Sequence, residues 1–435
     1  MNRLELYKEL STSEAFLEEE NHIYINKKTG KFYNSVTGII SFFEEPFDEE
    51  DTITGLRKQY QNFYNWYFKQ QNGDPTLFTV ALSKYVNYRQ FTDKENAIWQ
   101  GKEYQRYIKK ITDYITIGEF LTEYKYLEEV NQVKRLKNIY LTTDLRIMSA
   151  ADIKQMWQDM TDIANKYGNM VHLIIERHLL KKQGFLFNDN LLADISSHYF
   201  WIKNNLPNFY QKYPHSKHSF EEYELDLSLN HLIEDVEEKF DAHSIDLGIC
   251  TIPEKRLLYG NLAGTKDIDT HLDKYYFNTG DNKTNKDFNI TSPFNNKMKP
   301  PFHCYEDSHL MHYTIQLSLY SYMQEKSSNK KVKDLYITYY NRKSSQFTIF
   351  DIEYKKDESE FLLNYYNNWL EERKKRIFNS SLGDYVKSKI KTEWIDHFAK
   401  NFYFCIAENK DKDKLFFMNY IKEYAEKHKN VKYVG

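Results

Sequence analysis

The sequence predicts an α/β protein built around one central mixed sheet. Between residues 149 and 377, helical and strand-like patterns follow the order helix, strands, helix, strands, which is typical of a sheet covered by helices. Glycine and proline number only 14 and 8 in 435 residues, so long helices are expected. With 41% hydrophobic and 28% charged residues, the composition is that of a folded globular protein.

The chain begins with a predicted hairpin and a predicted helical lobe. In residues 1–50, HIYINKKTGKFYNS alternates around a Lys-Thr-Gly turn, as hairpins do. Ser35-Val36-Thr37 then indicates a helix N-cap, which can face a phosphate but is more often an ordinary cap. Residues 51–148 are rich in Tyr, Lys, Gln and Asn. They predict a mostly helical lobe, whose aromatic rings fit a core better than a DNA channel.

Residues 149–377 carry the predicted core, and residues 378–435 predict a Lys-rich helical tail. Ser149 is expected to cap a first helix that ends at Gly168, where a second begins. The further elements expected are helices around 190–214, strands within 251–290, a helix at about 308–325, two strands joined by Lys343-Ser344-Ser345, and a helix around 357–377.

Cysteine content and the absence of long apolar runs indicate where the protein acts, whereas its net charge does not identify a partner. The formal net charge of −3 neither indicates nor excludes a nucleic-acid binder. Cys250, Cys304 and Cys405 are far apart and form no CxxC pair, which argues against disulfides or structural zinc and fits a reducing cytoplasm. The first twenty residues hold no apolar signal core, and no apolar run reaches the length of a membrane helix. We therefore expect a soluble cytoplasmic protein.

The strongest chemical signal comes from Asp267, Asp281 and Lys283. Asp281 and Lys283 are two positions apart, so on a strand they share a face. Asp267 lies in the preceding strand, from which its carboxylate could meet that of Asp281. Converging carboxylates repel each other, and a divalent cation such as Mg²⁺ or Mn²⁺ relieves the repulsion. A nearby lysine can orient a water or stabilise charge on a phosphate. The Asp-x-Lys triplet alone, however, is common on solvent-facing strands.

Two helical pairs and one further carboxylate accompany this signal. His172 and Glu176 are four positions apart and share a helix face, so His172 is a candidate metal ligand, although a lone helical histidine is more often structural. Gln316 and Tyr320 also share a face. They could hydrogen-bond a phosphate or the catalytic residues, or form a buried amide–phenol pair. Glu254 precedes the strands.

The order of these motifs resembles the RecB-like branch of the PD-(D/E)XK nuclease superfamily, and its phage-type members in particular. The matching residues are Gly168/His172/Glu176, Glu254, Gly264-Thr265-Lys266-Asp267, Asp281-Asn282-Lys283-Thr284 and Gln316/Tyr320. Each motif is loose, but all five in this order form a specific signal. The resemblance covers about 150–355 well, the first 45 residues weakly, and 51–148 and 378–435 hardly at all.

The resemblance implies a restriction-endonuclease-like core and a site for Mg²⁺ or Mn²⁺. It implies that His172, Asp267, Asp281 and the main-chain carbonyl of Asn282 bind the metal. Lys283 would act on the attacking water.

It also implies supporting roles for residues around that site. Glu254 would be a further ligand or a helper, while Glu176, Gln316 and Tyr320 would steady the site and the DNA strand. Some relatives carry a four-cysteine iron–sulfur cluster, which three scattered cysteines exclude here.

The chain departs from the family pattern at three places. Asn282 stands where an apolar or aromatic residue is usual, and Phe277–Gly280 where an apolar strand is usual. Both departures could weaken the strand or alter the site. Lys266 replaces the proline of the superfamily's name, as is common in this branch.

Asp269 would share a strand face with Asp267. We expect it to be solvated or to lie behind the metal-binding residues, and we do not include it in the predicted site.

We therefore predict a metal-dependent deoxyribonuclease that leaves a 5′ phosphate. Action on linear, double-stranded DNA ends, as an exonuclease in recombination, repair or phage DNA processing, rests on the resemblance. The alternatives are a structure-selective endonuclease with the same site and a non-catalytic DNA-binding or virion-structural protein that kept the fold. The intact Asp267, Asp281 and Lys283 count against the last. A protein partner could bind residues 51–148, and a phage-encoded chain would act in the host cytoplasm.

Overall fold

The computed structural model describes residues 2–57 and 140–380, apart from 19–22, 45–46, 141–147, 187–188, 215, 217–219, 287 and 293–294, and five single positions between 384 and 399. Most of the lobe expected at 51–148, including its suggested partner surface, and most of the tail expected at 378–435 lie outside the described residues. Among the described helices, none has the length and apolar character needed to span a bilayer.

Helices precede, separate and follow a long run of strands. The elements are α1 (Arg3–Ser11), β1 (Ala15–Glu18), β2 (Ile23–Asn26), β3 (Phe32–Ser35), α2 (Val36–Ile40), α3 (Ala150–Gln183), α4 (Asn190–Lys212), α5 (Leu229–Asp241), β4 (Cys250–Tyr259), β5 (Leu262–His271), β6 (Tyr276–Lys283), α6 (His309–Ser327), β7 (Lys331–Asn341), β8 (Gln346–Ile352) and α7 (Lys356–Phe378). The predicted hairpin at HIYINKKTGKFYNS is confirmed as β2 and β3, which pair antiparallel.

The chain forms two compact units. The first comprises residues 1–45, 171–195 and 230–435, and the second residues 46–170 and 196–229. In the second unit, Asp159 accepts hydrogen bonds from Lys212 Nζ at 2.8 Å and from the Tyr213 hydroxyl at 2.9 Å. The first unit contains the whole sheet and, with the exception of Gly168, all the motif residues.

The first unit is organised around an open, mixed, eight-stranded sheet. Its strand order is β1-β2-β3-β5-β6-β7-β8, with β4 paired to β5. Strands β3 and β5 are parallel, as are β6 and β7, while the other pairs are antiparallel. The α/β class and the mixed central sheet predicted from the sequence are therefore confirmed.

Along one edge of β5 the neighbouring strand changes from β3 to β6, and we call the gap between these two strands the fork. Near its start, Leu262 and Ala263 pair with β3, whereas residues 268–271 pair with β6. The residues between, Gly264 to Asp267, are bridged to neither of these two described strands on that edge. Because no described strand is paired to this part of the edge, polar side chains of residues 264–267 can contact side chains from other elements.

A large apolar core holds helices α2, α6 and α7 against the sheet. It includes Ile39 from α2, Ile315 and Leu319 from α6, and Leu362 and Leu370 from α7, all buried. Each such side chain contributes about 1.5–3 kcal/mol on burial. This packing sets the position of α6, the helix that carries Gln316 and Tyr320.

One local prediction is wrong. Gly168 does not end a helix, because α3 runs without interruption from Ala150 to Gln183. An interior glycine costs a helix only about 1 kcal/mol, and the buried side chains of Tyr167 and Val171 on either side hold the helix in place. Phe277–Gly280 form part of β6 and pair with β5 and β7, with a shift of register against β7 between Phe277 and Thr279.

Two predicted caps are present. Ser35 Oγ accepts a hydrogen bond from the Gly38 amide at 3.1 Å, as an ordinary N-cap of α2 does. Ser149 Oγ accepts one from the Asp152 amide at 3.1 Å at the start of α3.

Candidate metal centre

Three side chains from three separate elements converge beside the fork. His172 from α3, Glu254 from β4 and Asp267 from β5 each offer a ligand atom, and these atoms lie within 4.8 Å of one another. His172 Nδ1 is 3.5 Å from Asp267 Oδ2. One imidazole nitrogen and several carboxylate oxygens form a donor set that suits Mn²⁺ and Mg²⁺.

Asp281 and Lys283, from β6, complete the cluster. Burial and the negative charge of Asp267 raise the pKa of Asp281, and Lys283 Nζ is 2.5 Å from Asp281 Oδ2. Lys283 Nζ also lies over the Tyr313 ring, 4.4 Å from its centroid. The structure thus brings together the two carboxylates and the ammonium group that the sequence predicts to be neighbours.

Asn282 joins β6 to the metal-binding side chains through its backbone. Its amide donates to Asp267 Oδ2 at 2.7 Å. The Asn282 side chain turns away from the cluster, and its Oδ1 accepts a hydrogen bond from the Thr338 hydroxyl on β7. This bond satisfies the side-chain oxygen of Asn282.

The carboxyl groups of the cluster hold protons unusually tightly. Burial, followed by repulsion from Asp267, raises the pKa of Asp281 to about 7. Burial and the same neighbour raise the pKa of Glu176 to about 7. For Glu254, desolvation by the surrounding protein and the charges of Asp267 and Glu176 raise the pKa well above its usual range. These acids are stabilised in their neutral form because too little positive charge lies among them, and a divalent cation would supply it.

His172 and Lys283 are held in complementary charge states. Burial and the nearby Lys283 lower the pKa of His172 to about 4, so the imidazole is neutral at pH 7, the form that binds metals. Burial lowers the pKa of Lys283, but Asp281 and Asp267 outweigh it and raise this pKa above its usual range. Lys283 therefore remains an ammonium group.

Glu254 reaches the cluster through a strained backbone. Its φ of 52° lies in the left-handed region, in the middle of strand β4, where a residue with a side chain costs about 1–3 kcal/mol. Such strain is typical of residues at functional sites. In the described part of the chain, Glu254 forms no ion pair with a lysine or arginine; neither does Asp267 nor Glu176. These acids are thus not neutralised by permanent salt bridges.

Gln316 and Tyr320 lie beneath the cluster rather than at its mouth. Gln316 Nε2 donates to the Tyr320 hydroxyl at 2.9 Å, and both side chains are buried. The Tyr320 ring packs on Gly264, where an added Cβ would lie 2.2 Å from Tyr320 Cε1. The pair matches the buried amide–phenol alternative, and it supports the strand that leads to Asp267.

We predict that Gly264→Ala destabilises the first unit by about 1–3 kcal/mol, because the rigid, buried Tyr320 ring cannot move aside. Urea unfolding measures the loss. The double variant Gly264→Ala/Tyr320→Leu should recover part of it, since the smaller side chain leaves room for the methyl group. Unchanged stability of Gly264→Ala would contradict the close packing.

Sequence reasoning missed a buried polar network beside the cluster. Lys266 and Asp269 are fully buried, with Nζ 2.5 Å from Oδ1, and Gln324 and His271 also hydrogen-bond to Asp269. Of the two alternatives expected for Asp269, solvated or behind the site, the burial excludes the first and fits the second. Lys266 makes a buried ion pair with it. The only sequence signal is an i, i+3 pair of opposite charges, which does not reveal burial.

Arg256 and Arg342 were also missed. Arg256 follows Glu254 by two positions on β4, and its charge acts on Glu254 and Glu176. Arg342, just beyond β7, is buried and acts on His172. No spacing rule links these arginines to the motifs, because the pairing of β4 with β5 and of β6 with β7 brings them near.

Comparisons of the chain with family models, curated proteins and solved structures found no match. The fold and the site themselves define an α/β protein whose mixed sheet and one helix hold a cluster of acidic residues, a neutral histidine and an ammonium group.

Proposed function

We propose that the protein is a metal-dependent deoxyribonuclease that hydrolyses phosphodiester bonds at DNA ends. The observation that carries the proposal is the convergence of His172, Glu254 and Asp267 within 4.8 Å, with Asp281 and Lys283 in contact beside them. The order of the motifs, which resembles that of the RecB-like branch of the PD-(D/E)XK nucleases, supports it, and with it we propose a restriction-endonuclease-like core. The exonuclease mode rests on the same resemblance.

His172, Asp267 and Asp281, with Glu254 and the Asn282 carbonyl, would hold Mg²⁺ or Mn²⁺. Bound there, the cation supplies Lewis-acid stabilisation of the charge that develops on the phosphate. Lys283 is protonated and thus acts as a hydrogen-bond donor and positive charge, not as a base. In the net reaction, the hydroxyl of a water molecule bonds to phosphorus and the bond to the 3′ oxygen breaks. That oxygen takes the proton, leaving a 5′ phosphate and a 3′ hydroxyl.

The test compares wild type with Lys283→Ala on labelled linear and closed-circular DNA, with Mg²⁺ or Mn²⁺ present. We expect wild type to shorten linear DNA progressively, and the variant to be slower by about 10²–10³-fold, the effect of removing one electrostatic donor. Sizing the products over time measures both rates. Lys333→Gln, which changes an exposed lysine at the start of β7, is the matched control.

The outcomes separate the alternatives. Equal cutting of closed circles would replace the exonuclease mode by an endonuclease with the same site. Metal and DNA binding without any cleavage would favour the non-catalytic DNA-binding protein.

A further inference from the structure

Arg256 places a positive charge next to the acidic cluster. In the β4–β5 ladder it pairs with Thr265, and Glu254 stands two positions before it on the same strand. Two residues of a strand span about 6.5 Å. The Thr265 hydroxyl lies 3.1 Å from the Tyr24 hydroxyl, so a side chain of β2 is also close to this part of β5. Arg256 thus lies two residues from Glu254 along β4, close to the metal-binding carboxylates.

Strand pairing places Arg256 on the same face of the sheet as Asp267. Arg256 lies directly opposite Thr265 in the β4–β5 ladder, and residues paired in this way share a face. Thr265 and Asp267 are two positions apart on β5, so their side chains also share that face. The Arg256 side chain therefore leaves the sheet on the side where Asp267 enters the cluster.

Among the described residues, Arg256 has no hydrogen-bonded or ion-paired partner for its guanidinium, unlike Lys283 and Lys266. Lys283 pairs with Asp281, Lys266 with Asp269, and Arg177 of α3 with Asp189. The Arg256 guanidinium forms no hydrogen bond or ion pair with the described residues, and its side chain is partly exposed. Its five N–H donors are therefore available, and their planar fork matches a phosphate group.

We propose that Arg256 binds a backbone phosphate of the substrate, next to the phosphate that is cleaved. The inference rests on the proposed nuclease function and deepens it. The substrate class is then a polynucleotide, whose successive phosphates reach both the metal centre and Arg256, rather than an isolated phosphodiester. A further phosphate beside Glu254 and Glu176 would be repelled by these acids, and a bidentate arginine offsets that repulsion.

Two substrates test the role of Arg256. Arg256→Gln and wild type are compared, in Mn²⁺, on linear DNA and on bis(p-nitrophenyl) phosphate, which has one phosphate and no neighbour. We expect kcat/KM on DNA to fall by about 10–100-fold, mainly through KM, since one charge-assisted phosphate contact is lost. Hydrolysis of the small diester should stay within about twofold of wild type.

DNA binding in Ca²⁺ gives a readout that a merely structural residue would not change. The slope of log affinity against log salt concentration should become shallower by about 1 in Arg256→Gln. Arg256→Lys should restore the slope but only part of the affinity, because lysine keeps the positive charge but lacks the planar guanidinium that can make two hydrogen bonds to a phosphate. Lys333→Gln should leave both unchanged. A far-UV circular dichroism spectrum and a thermal unfolding midpoint close to those of wild type show that Arg256→Gln is folded.

Two outcomes overturn the proposal. An equal loss on DNA and on the small diester would mean that Arg256 acts on the reacting phosphate or on the fold. An unchanged salt slope would mean that it touches no phosphate. If wild type binds no DNA and cleaves neither substrate, the proposed nuclease function fails, and the inference about Arg256 fails with it.

Discussion

Asp281→Asn is expected to abolish stabilisation of the protein by Mn²⁺ and to slow DNA cleavage by about 10³-fold. Asp281 pairs with the Lys283 ammonium at 2.5 Å, and the Asp267 charge acts on it. Its side chain is only 2% exposed, so no water can replace the lost ligand at low cost. Thermal unfolding with and without Mn²⁺ and a timed cleavage assay measure the two effects. Asp351→Asn, an exposed aspartate on β8, is the matched control.

The same variant should change the pH dependence of the metal-free protein. The pKa of Asp281 is raised to about 7 in the fold, against about 4 in an unfolded chain. The stability that this carboxyl group contributes is thus fully present below about pH 4 and is lost as the pH rises through 7. Mn²⁺ must displace the proton, so wild-type affinity should rise with pH through the same range. Identical pH profiles of stability and affinity for Asp281→Asn and wild type would contradict this assignment.

Lys266→Met is expected to lower the free energy of unfolding by about 3–5 kcal/mol, the cost of leaving a buried charge without its partner. Lys266 and Asp269 are fully buried and 2.5 Å apart, and the pair holds the pKa of Asp269 far below its usual range against the opposing effect of burial. Methionine fills a similar volume, so the loss reports on charge rather than on a cavity. Urea unfolding followed by circular dichroism gives the value.

A double-mutant cycle checks that interpretation. Lys266→Met/Asp269→Asn removes both charges, so it should be more stable than Lys266→Met alone. Lys375→Met, which removes one partner of an exposed ion pair with Glu372 on α7, should leave the free energy of unfolding nearly unchanged. A loss below about 1 kcal/mol for Lys266→Met, or additive losses in the cycle, would show that the buried pair does not hold this part of the sheet.

Local patterns were sufficient to predict the elements that carry the candidate site. The alternation in HIYINKKTGKFYNS gave a correct hairpin, and the i, i+4 spacing placed His172 and Glu176 on one helix. Asp281 and Lys283 were correctly placed on one strand and found in contact. Helix ends were less predictable, as Gly168 shows, because packing of neighbouring side chains can outweigh the preference of a single glycine.

The sequence by itself determined the class of fold, the strands and helices of the cluster and the chemical types of its side chains, since periodicity and residue chemistry are local properties. Only the tertiary structure decided which of these groups meet. The divergence of β3 and β6 along β5, the burial of Asp269 with Lys266, and the position of Arg256 beside Glu254 all depend on strand pairing. That pairing joins residues far apart in the chain, and its energy comes from the whole sheet and core rather than from any one segment.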